Sequence, residues 1–124
     1  MATPSTEERV EHCLVITLNQ KKFLDAGDIE KLLGPNLYTL VETTEANTVL
    51  IDFQNVEFLS ILALNNLIIV DKKCREKSKR LFLCSLMRGI YEIMALTRLD
   101  RLFDIRENRQ FALEAAGSIS FQVR

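Results

Sequence analysis

The segment TVLIDFQNVEFLSILALNNLII, residues Thr48 to Ile69, decides the fold of this chain. Residues 49–53 form a nearly continuous apolar run, typical of a β-strand that is covered on both faces. Ser60 supplies a side-chain oxygen where a helix needs an acceptor for its unpaired first amides. Three apolar residues before it are expected to carry the chain back under the sheet: Val56, Phe58 and Leu59. The segment therefore predicts a buried strand, a short loop and a helix from Ser60 to about Lys77.

Predicted strands and helices alternate on both sides of this segment. Strands are expected at Cys13–Leu18, at Arg80–Cys84 and, at an edge, at Asp104–Ile105, while Lys21–Leu24 extends the first strand or forms a short edge strand. Helices are expected over 29–42 with a kink or restart at Pro35, over 88–97 with Ser85 as cap, and over 109–116 with Asn108 as cap. Such alternation requires crossover connections, so it predicts an α/β domain with a mainly parallel sheet.

The composition is that of one globular domain. The chain has 124 residues, of which 48% are apolar, with 16 basic and 17 acidic side chains and a net charge of −1. No excess of one sign points to nucleic acid, an anionic membrane or a polyanionic substrate. We expect a mobile tail over residues 1–9, the domain over 10–117, and a C-terminal tail over 118–124.

The N-terminal segment and the apolar runs predict a cytoplasmic protein. Residues 1–12 are polar and partly acidic, unlike a signal or transit peptide. The longest apolar run, Ile61–Val70, is interrupted by Asn65 and Asn66. It is far shorter than the roughly 20 residues that cross a bilayer.

The polar residues argue against an enzyme. Cys13, Cys74 and Cys84 stand far apart and are expected to be small buried hydrophobes. His12 is the single histidine, so the chain has neither a zinc ligand set nor an evident general base. Glycine-rich phosphate motifs are absent, and no acidic pair follows the first strand to hold the magnesium ion of a phospho-aspartate receiver. We therefore expect no catalytic residue, no metal and no cofactor.

The helix predicted after Ser60 has more apolar residues than one buried face needs. Its core stripe consists of Ala63, Leu64, Leu67, Ile68 and Asp71, extended by Cys74. Ile61, Leu62 and Ile69 lie outside this stripe, among asparagines and lysines. Three interpretations stay open: the helix is more deeply buried, these residues are scattered surface aliphatics, or they form an exposed apolar surface that contacts another protein.

Ser60 also has two interpretations. As an N-cap it would stabilise the helix by about 1 kcal/mol. As a phosphorylation site it would place nearly two negative charges at the helix N-terminus, where the helix dipole tolerates them but an apolar contact would not. The physical chemistry of the position favours the cap.

Three separated pieces of the chain resemble the STAS domain, as found in bacterial anti-sigma-factor antagonists. They are VLIDFQNVEFLSILALNNLI, RLFLCSLMRGIYEIMALTRLDRLFDI and Phe23-Leu24-Asp25 before the first helix. Within the second piece, Leu99 to Phe103 is similar to the Leu-Asp-x-Leu-Phe turn of the family. The resemblance covers roughly Cys13 to Ala115, and it implies a four- or five-stranded mixed sheet with about four helices packed on it.

The resemblance also implies a partner and a switch. Such proteins bind an anti-sigma factor, often of the serine-kinase type, and the kinase phosphorylates a serine at the helix start to block binding. In this chain Ser60 stands where the family most often has aspartate, Ile61 where it has the phosphorylated serine, and Ala63 where it has glycine. Either Ser60 takes the phosphate one residue early, or this member is unswitched.

The leading hypothesis is an anti-sigma-factor antagonist that acts by protein–protein contact. Its partner-binding residues are predicted at one end of the sheet: Asp25, Ser60, Ile61, Leu62, Asn65 and Ser85. The alternative is a scaffold or dimerisation module that cannot be phosphorylated and uses the same aliphatic residues to form a homodimer. A third hypothesis, a small-ligand binder or enzyme on the same fold, would need a deep polar pocket lined by charged groups.

Overall fold

A five-stranded sheet organises the computed structural model, which describes residues 5–23 and 35–117. The strands are β1 (Ser5–Val10), β2 (Cys13–Leu18), β3 (Lys22–Phe23), β4 (Thr48–Asp52), β5 (Phe58–Leu59), β6 (Arg80–Cys84) and β7 (Asp104–Arg106). The helices are α1 (Pro35–Thr43), α2 (Ile61–Glu76), α3 (Arg88–Leu96) and α4 (Arg109–Ala115), with a 3-10 turn at Leu99–Arg101. None of the helices in this described part of the chain is both long and apolar enough to span a bilayer.

The sheet is mixed and mainly parallel, as the sequence predicts. Its order is β1-β2-β4-β6-β7, and β2, β4, β6 and β7 run parallel to one another. Helices connect the parallel strands, and β4 lies at the centre with every residue buried. The carboxyl ends of the parallel strands therefore meet at one edge of the sheet, and α2 begins there.

The expected N-terminal tail, residues 1–9, is wrong for residues 5–9, which with Val10 form a strand. They form β1, which pairs antiparallel with β2 through a turn at Glu11 and His12. The side chains of residues 6–9 are exposed, so no apolar pattern marks this strand in the sequence. Backbone hydrogen bonds at a sheet edge are sufficient to form it, and they do not depend on apolar side chains.

A second, two-stranded sheet lies beside the start of α2. Lys22–Phe23 forms the predicted short strand, but it pairs in parallel with Phe58–Leu59 rather than with the main sheet. Val56 and Leu59 are buried as expected, whereas Phe58 is 42% exposed. Because successive side chains of a strand point to opposite sides, burial of Leu59 turns Phe58 outward.

The core lies on both faces of the sheet. One face, with Val49, Ile51 and Phe53, packs against α1, α2 and α3. The other face carries Leu50 and Phe82 and packs against α4. This division follows the alternation of side chains along β4, and it explains why that strand has an almost unbroken apolar sequence.

Most of the predicted helix starts are confirmed, and one cap is wrong. Ser60 caps α2 and Asn108 caps α4, where its side chain accepts a hydrogen bond from the Phe111 amide over 2.9 Å. The N-cap of α3 is Met87, with no side-chain hydrogen bond, instead of Ser85. Part of the helix predicted over 29–42 falls on residues outside the described ranges, and α1 accounts for the rest.

Candidate functional site

The start of α2 is fixed by its cap. Ser60 has extended backbone angles, φ −80° and ψ 171°, and its hydroxyl accepts a hydrogen bond from the Ala63 amide over 3.3 Å. Its carbonyl accepts the first intrahelical bond, from the Leu64 amide over 3.0 Å. The cap interpretation of Ser60 is confirmed, and the residue that follows it opens the first helical turn.

Large apolar side chains around this helix start are exposed. Ile61 is 68% exposed, Leu62 50% and Ile69 40%, and the neighbouring Phe58 extends the group. These four residues are called the apolar surface below. Ala63, Leu64 and Leu67 already fill the inward face of α2, so Ile61, Leu62 and Ile69 have no place in the core. Deeper burial of the helix, one of the three open interpretations, is thereby wrong, and the exposure is compatible with the other two.

One residue of the predicted core stripe is misplaced. Ile68 is 36% exposed, and Val70, which was not assigned to the stripe, is fully buried. Val70 lies three residues after Leu67 and seven after Ala63, which is the spacing of a single helix face. The spacing of Val70 therefore predicts its burial, but the aliphatic residues on both sides of Val70 made the buried face hard to assign from the sequence.

The asparagines of α2 have different environments. Asn66 accepts a hydrogen bond from the Tyr38 hydroxyl of α1, and its amide donates to the Leu62 carbonyl over 2.9 Å. Lys73 adds a second link to α1, an ion pair with Glu42 at 3.1 Å. Asn65 is exposed. Asn66 thus holds α1 and α2 together, and Asn65 is the asparagine that a partner could reach.

The remaining predicted site residues are placed as follows. Ser85 directly follows β6, whose last residue Cys84 pairs with Asp52 at the end of β4, so Ser85 lies at the same edge of the sheet as the start of α2. It is partly exposed and has a positive φ of 61°. Asp25 lies outside the described residues. Ser60, Ile61, Leu62, Asn65 and Ser85 therefore share one end of the domain.

A charged cleft lies at the opposite end of the sheet. It has a volume of about 550 Å³ and is lined by the amino ends of β6 and β7 together with the last turns of α2. Asp71 pairs with Arg75 at 2.7 Å, Asp104 pairs with Arg106 at 2.8 Å, and Lys79 donates to two backbone carbonyls. Arg80, Asp100 and Arg101 also line the cleft, which is therefore strongly charged.

The three cysteines are buried, as predicted, and none of them forms a disulfide. Burial raises the pKa of the Cys74 thiol to about 12 and that of Cys84 to about 11, and the nearby carboxylates of Asp71 and Asp52 act in the same direction. Both thiols are therefore protonated at neutral pH and unreactive. No cluster of metal-ligating side chains occurs within residues 5–23 and 35–117.

Sequence reasoning missed a buried ion pair behind the candidate site. Asp52, at the end of β4, is almost fully buried, and its Oδ2 lies 3.4 Å from Nε of Arg109 on α4. No spacing rule relates Asp52 to Arg109, because only the packing of α4 on the sheet brings them together.

Comparison with known proteins identifies one family. The family model for the STAS domain matches residues 4–112. An anti-sigma-factor antagonist (STAS) domain protein from Planctomyces limnophilus superposes with a TM-score of 0.78 and 19% identity, covering 91% of this chain and 97% of its own. A putative anti-sigma factor antagonist from Thermotoga maritima superposes with a TM-score of 0.73 and 17% identity, and the match covers 90% of this chain and 92% of that protein.

The same architecture also occurs in a protein of another description. A sulfate transporter family protein from Wolinella succinogenes superposes with a TM-score of 0.71 and 12% identity, covering 86% of this chain and 85% of its own. At such low identity these structures establish a shared fold, and their different descriptions show that the fold alone does not specify a function.

Proposed function

The chain belongs to the STAS domain family, and we propose that it acts as an anti-sigma-factor antagonist, which binds an anti-sigma factor by direct protein contact and thereby regulates transcription. The partner is an anti-sigma factor of the serine-kinase type. Contact is made by Ser60, Ile61, Leu62, Asn65 and Ser85, and Asp25, which lies outside the described residues, stays a predicted contact residue. No catalytic residue, metal or cofactor takes part.

The exposed apolar surface is the observation that carries this proposal. Ile61 and Leu62 stand side by side on the first turn of α2, with most of Ile61 in contact with solvent. Fully burying an aliphatic side chain of this size stabilises a complex by about 1.5–3 kcal/mol. Two such side chains beside a polar Asn65 form an apolar centre with a polar rim, which is the usual anatomy of a protein interface.

In this chain, phosphorylation at position 61 cannot switch off partner binding. Isoleucine at position 61 has no hydroxyl group to phosphorylate, and the hydroxyl of Ser60 is engaged with the Ala63 amide. A partner that buries Ile61 would therefore stay bound regardless of kinase activity. The protein acts as a constitutive antagonist.

The test is a pull-down of purified anti-sigma kinases by the intact protein and by Ile61→Asp. A charge at position 61 would have to be desolvated in the complex, so the variant should lose binding. The matched control is Leu96→Asp, because Leu96 is 84% exposed at the far end of α3. Absence of binding by the wild type would refute the function, and equal binding by Ile61→Asp would refute the surface.

The alternative function is self-association, in which the same apolar surface would form the contact between two copies of the chain. Sedimentation equilibrium over a range of protein concentrations separates the two. A dimer that Ile61→Lys disrupts, in a protein that captures no anti-sigma kinase, would replace the antagonist by a scaffold or dimerisation module. A monomer that binds a kinase supports the antagonist.

A further inference from the structure

A single arginine of α4 contacts three strands of the sheet. Nη1 of Arg109 lies 2.7 Å from Oε1 of Glu8 on β1, and Nη2 donates to the Thr17 hydroxyl on β2 over 2.8 Å. Nε lies 3.4 Å from Oδ2 of Asp52 on β4. One planar guanidinium group thus links the edge strand, its neighbour and the central strand to the first residue of α4.

Asp52 also contacts the loop before α2. While Oδ2 faces Arg109, Oδ1 accepts a hydrogen bond from the Gln54 amide over 2.9 Å. Further along, the Val56 amide bonds to the Phe53 carbonyl over 2.9 Å, and the side chain of Asn55 donates to the Leu18 carbonyl over 3.2 Å. The loop that starts at Asp52 therefore has a defined path, and it ends at the cap of α2.

Arg109 compensates the charge of a buried carboxylate. The Asp52 side chain is 3% exposed, and a carboxylate removed from water to this extent requires a compensating cation or a proton. Without Arg109, this buried carboxylate would lose its cation, and turning toward solvent would break its hydrogen bond to the Gln54 amide.

We propose that Arg109 is a positioning residue for the partner surface: from the opposite face of the sheet it holds Asp52, and through the loop at Gln54 it sets the location of Ser60 and Ile61. The positioning of the loop stands on the contacts described above. The consequence for partner affinity rests on the proposed function.

Amide hydrogen exchange measured by NMR on the intact protein tests the positioning. In Arg109→Met, exchange of the Gln54 amide should accelerate by about tenfold more than that of the Leu67 amide, which lies in the buried middle of α2. A merely structural role would accelerate both amides equally, and that result would overturn the proposal. Glu8→Gln, which alters only the contact with β1, should leave the ratio of the two rates unchanged.

A second variant keeps the test valid if Arg109→Met folds poorly. The double variant Asp52→Asn/Arg109→Met removes the buried charge, while the amide oxygen of asparagine can still accept the bond from Gln54. The ratio of its Gln54 to Leu67 exchange rates should stay close to that of the wild type, because no buried charge is left uncompensated. An increase of this ratio by about tenfold in the double variant would show that the charge pair does not hold the loop.

Binding of an anti-sigma kinase separates this inference from the proposed function. Arg109→Met should weaken binding about tenfold although Arg109 lies on the opposite face of the sheet from the apolar surface, while Glu8→Gln should not. If the Gln54 amide loses protection and affinity is unchanged, Arg109 does not position the partner surface. If the wild type binds no kinase, the proposed function fails, and the exchange ratio alone decides whether Arg109 positions the loop.

Discussion

The hydroxyl of Ser60 accepts a hydrogen bond from the amide of Ala63 over 3.3 Å, and this bond makes Ser60 the N-cap of α2. The next residue, Ile61, projects into solvent. Ser60 therefore stabilises the helix start, while the side chain of Ile61 is accessible to a partner.

Replacing Ser60 by alanine should destabilise the fold by about 1 kcal/mol, because the Ala63 amide loses its acceptor. Ser60→Asp should retain most of the stability, since aspartate caps helices well and its charge suits the helix dipole. Urea unfolding followed by circular dichroism measures both. Equal stability of the alanine variant and the wild type would show that the cap contributes nothing.

Incubation with an anti-sigma kinase and ATP should leave the wild type without stoichiometric phosphate. The hydroxyl of Ser60 is half-buried and engaged, and Ile61 offers no acceptor. In Ile61→Ser, the new hydroxyl would be exposed at a helix N-terminus, where a phosphate dianion is favourable, so this variant should be phosphorylated. Mass spectrometry of the peptide that spans residues 60–61 measures the phosphate content of both proteins. Ile61→Ala, which has no hydroxyl group at position 61, is the control. Stoichiometric phosphate on Ser60 of the wild type would contradict the prediction.

Lys79→Met should destabilise the protein by about 2 kcal/mol. The ammonium group of Lys79 donates to the Thr44 carbonyl over 2.9 Å and to the Ala46 carbonyl over 2.8 Å, and hydrogen bonds from a charged donor are the stronger kind. Lys77→Met is the matched control, because Lys77 is exposed. Chemical denaturation compares the two variants, and equal stabilities would mean that the contacts of Lys79 are not stabilising.

The buried thiols should make the protein less stable in alkali. Their pKa values are raised from 9.0 to about 12 for Cys74 and about 11 for Cys84, so above pH 9.0 the unfolded chain releases protons that the folded chain retains. The free energy of unfolding should then fall with rising pH by at most about 1.4 kcal/mol per pH unit for each thiol. Below pH 9.0 this contribution is fully present.

The variant Cys84→Ala isolates this effect from other groups that titrate in alkali. It should reduce the slope of the unfolding free energy against pH between pH 9.0 and about 11, whatever it does to the stability at neutral pH. The slope is obtained from urea unfolding at several pH values. An unchanged slope would show that the Cys84 thiol ionises as readily in the folded protein as in the unfolded one.

Local patterns accounted for the central elements of the fold and for part of the candidate site. The apolar run of β4, the cap at Ser60 and the cap at Asn108 each follow from a few neighbouring residues, and all three are confirmed. The helical repeat placed Ile61 and Leu62 outside the buried stripe but left their exposure open, and the structure shows that both are exposed. The partner and its contact residues stay predictions.

The misplaced elements lacked such a local signal. Strand β1 is polar and forms through backbone pairing with β2, and Phe58 faces outward because of its pairing with Lys22–Phe23. Ser85 was assigned as a cap from its residue type, but the chain after β6 takes a positive φ there and α3 begins later. Of these three, Phe58 is the case in which the pairing partner is distant in sequence.

The sequence by itself therefore determined the family, the order of the strands and helices that carry apolar periodicity, and the capped start of α2, because these depend on residues close together along the chain. Only the tertiary structure decided that Arg109 compensates the charge of Asp52, that Glu8 and Thr17 share the same guanidinium group, and that the apolar surface includes Phe58. The physical reason is that burial and charge compensation depend on all neighbours in space. The packing of α4 and β1 on the sheet supplies those neighbours.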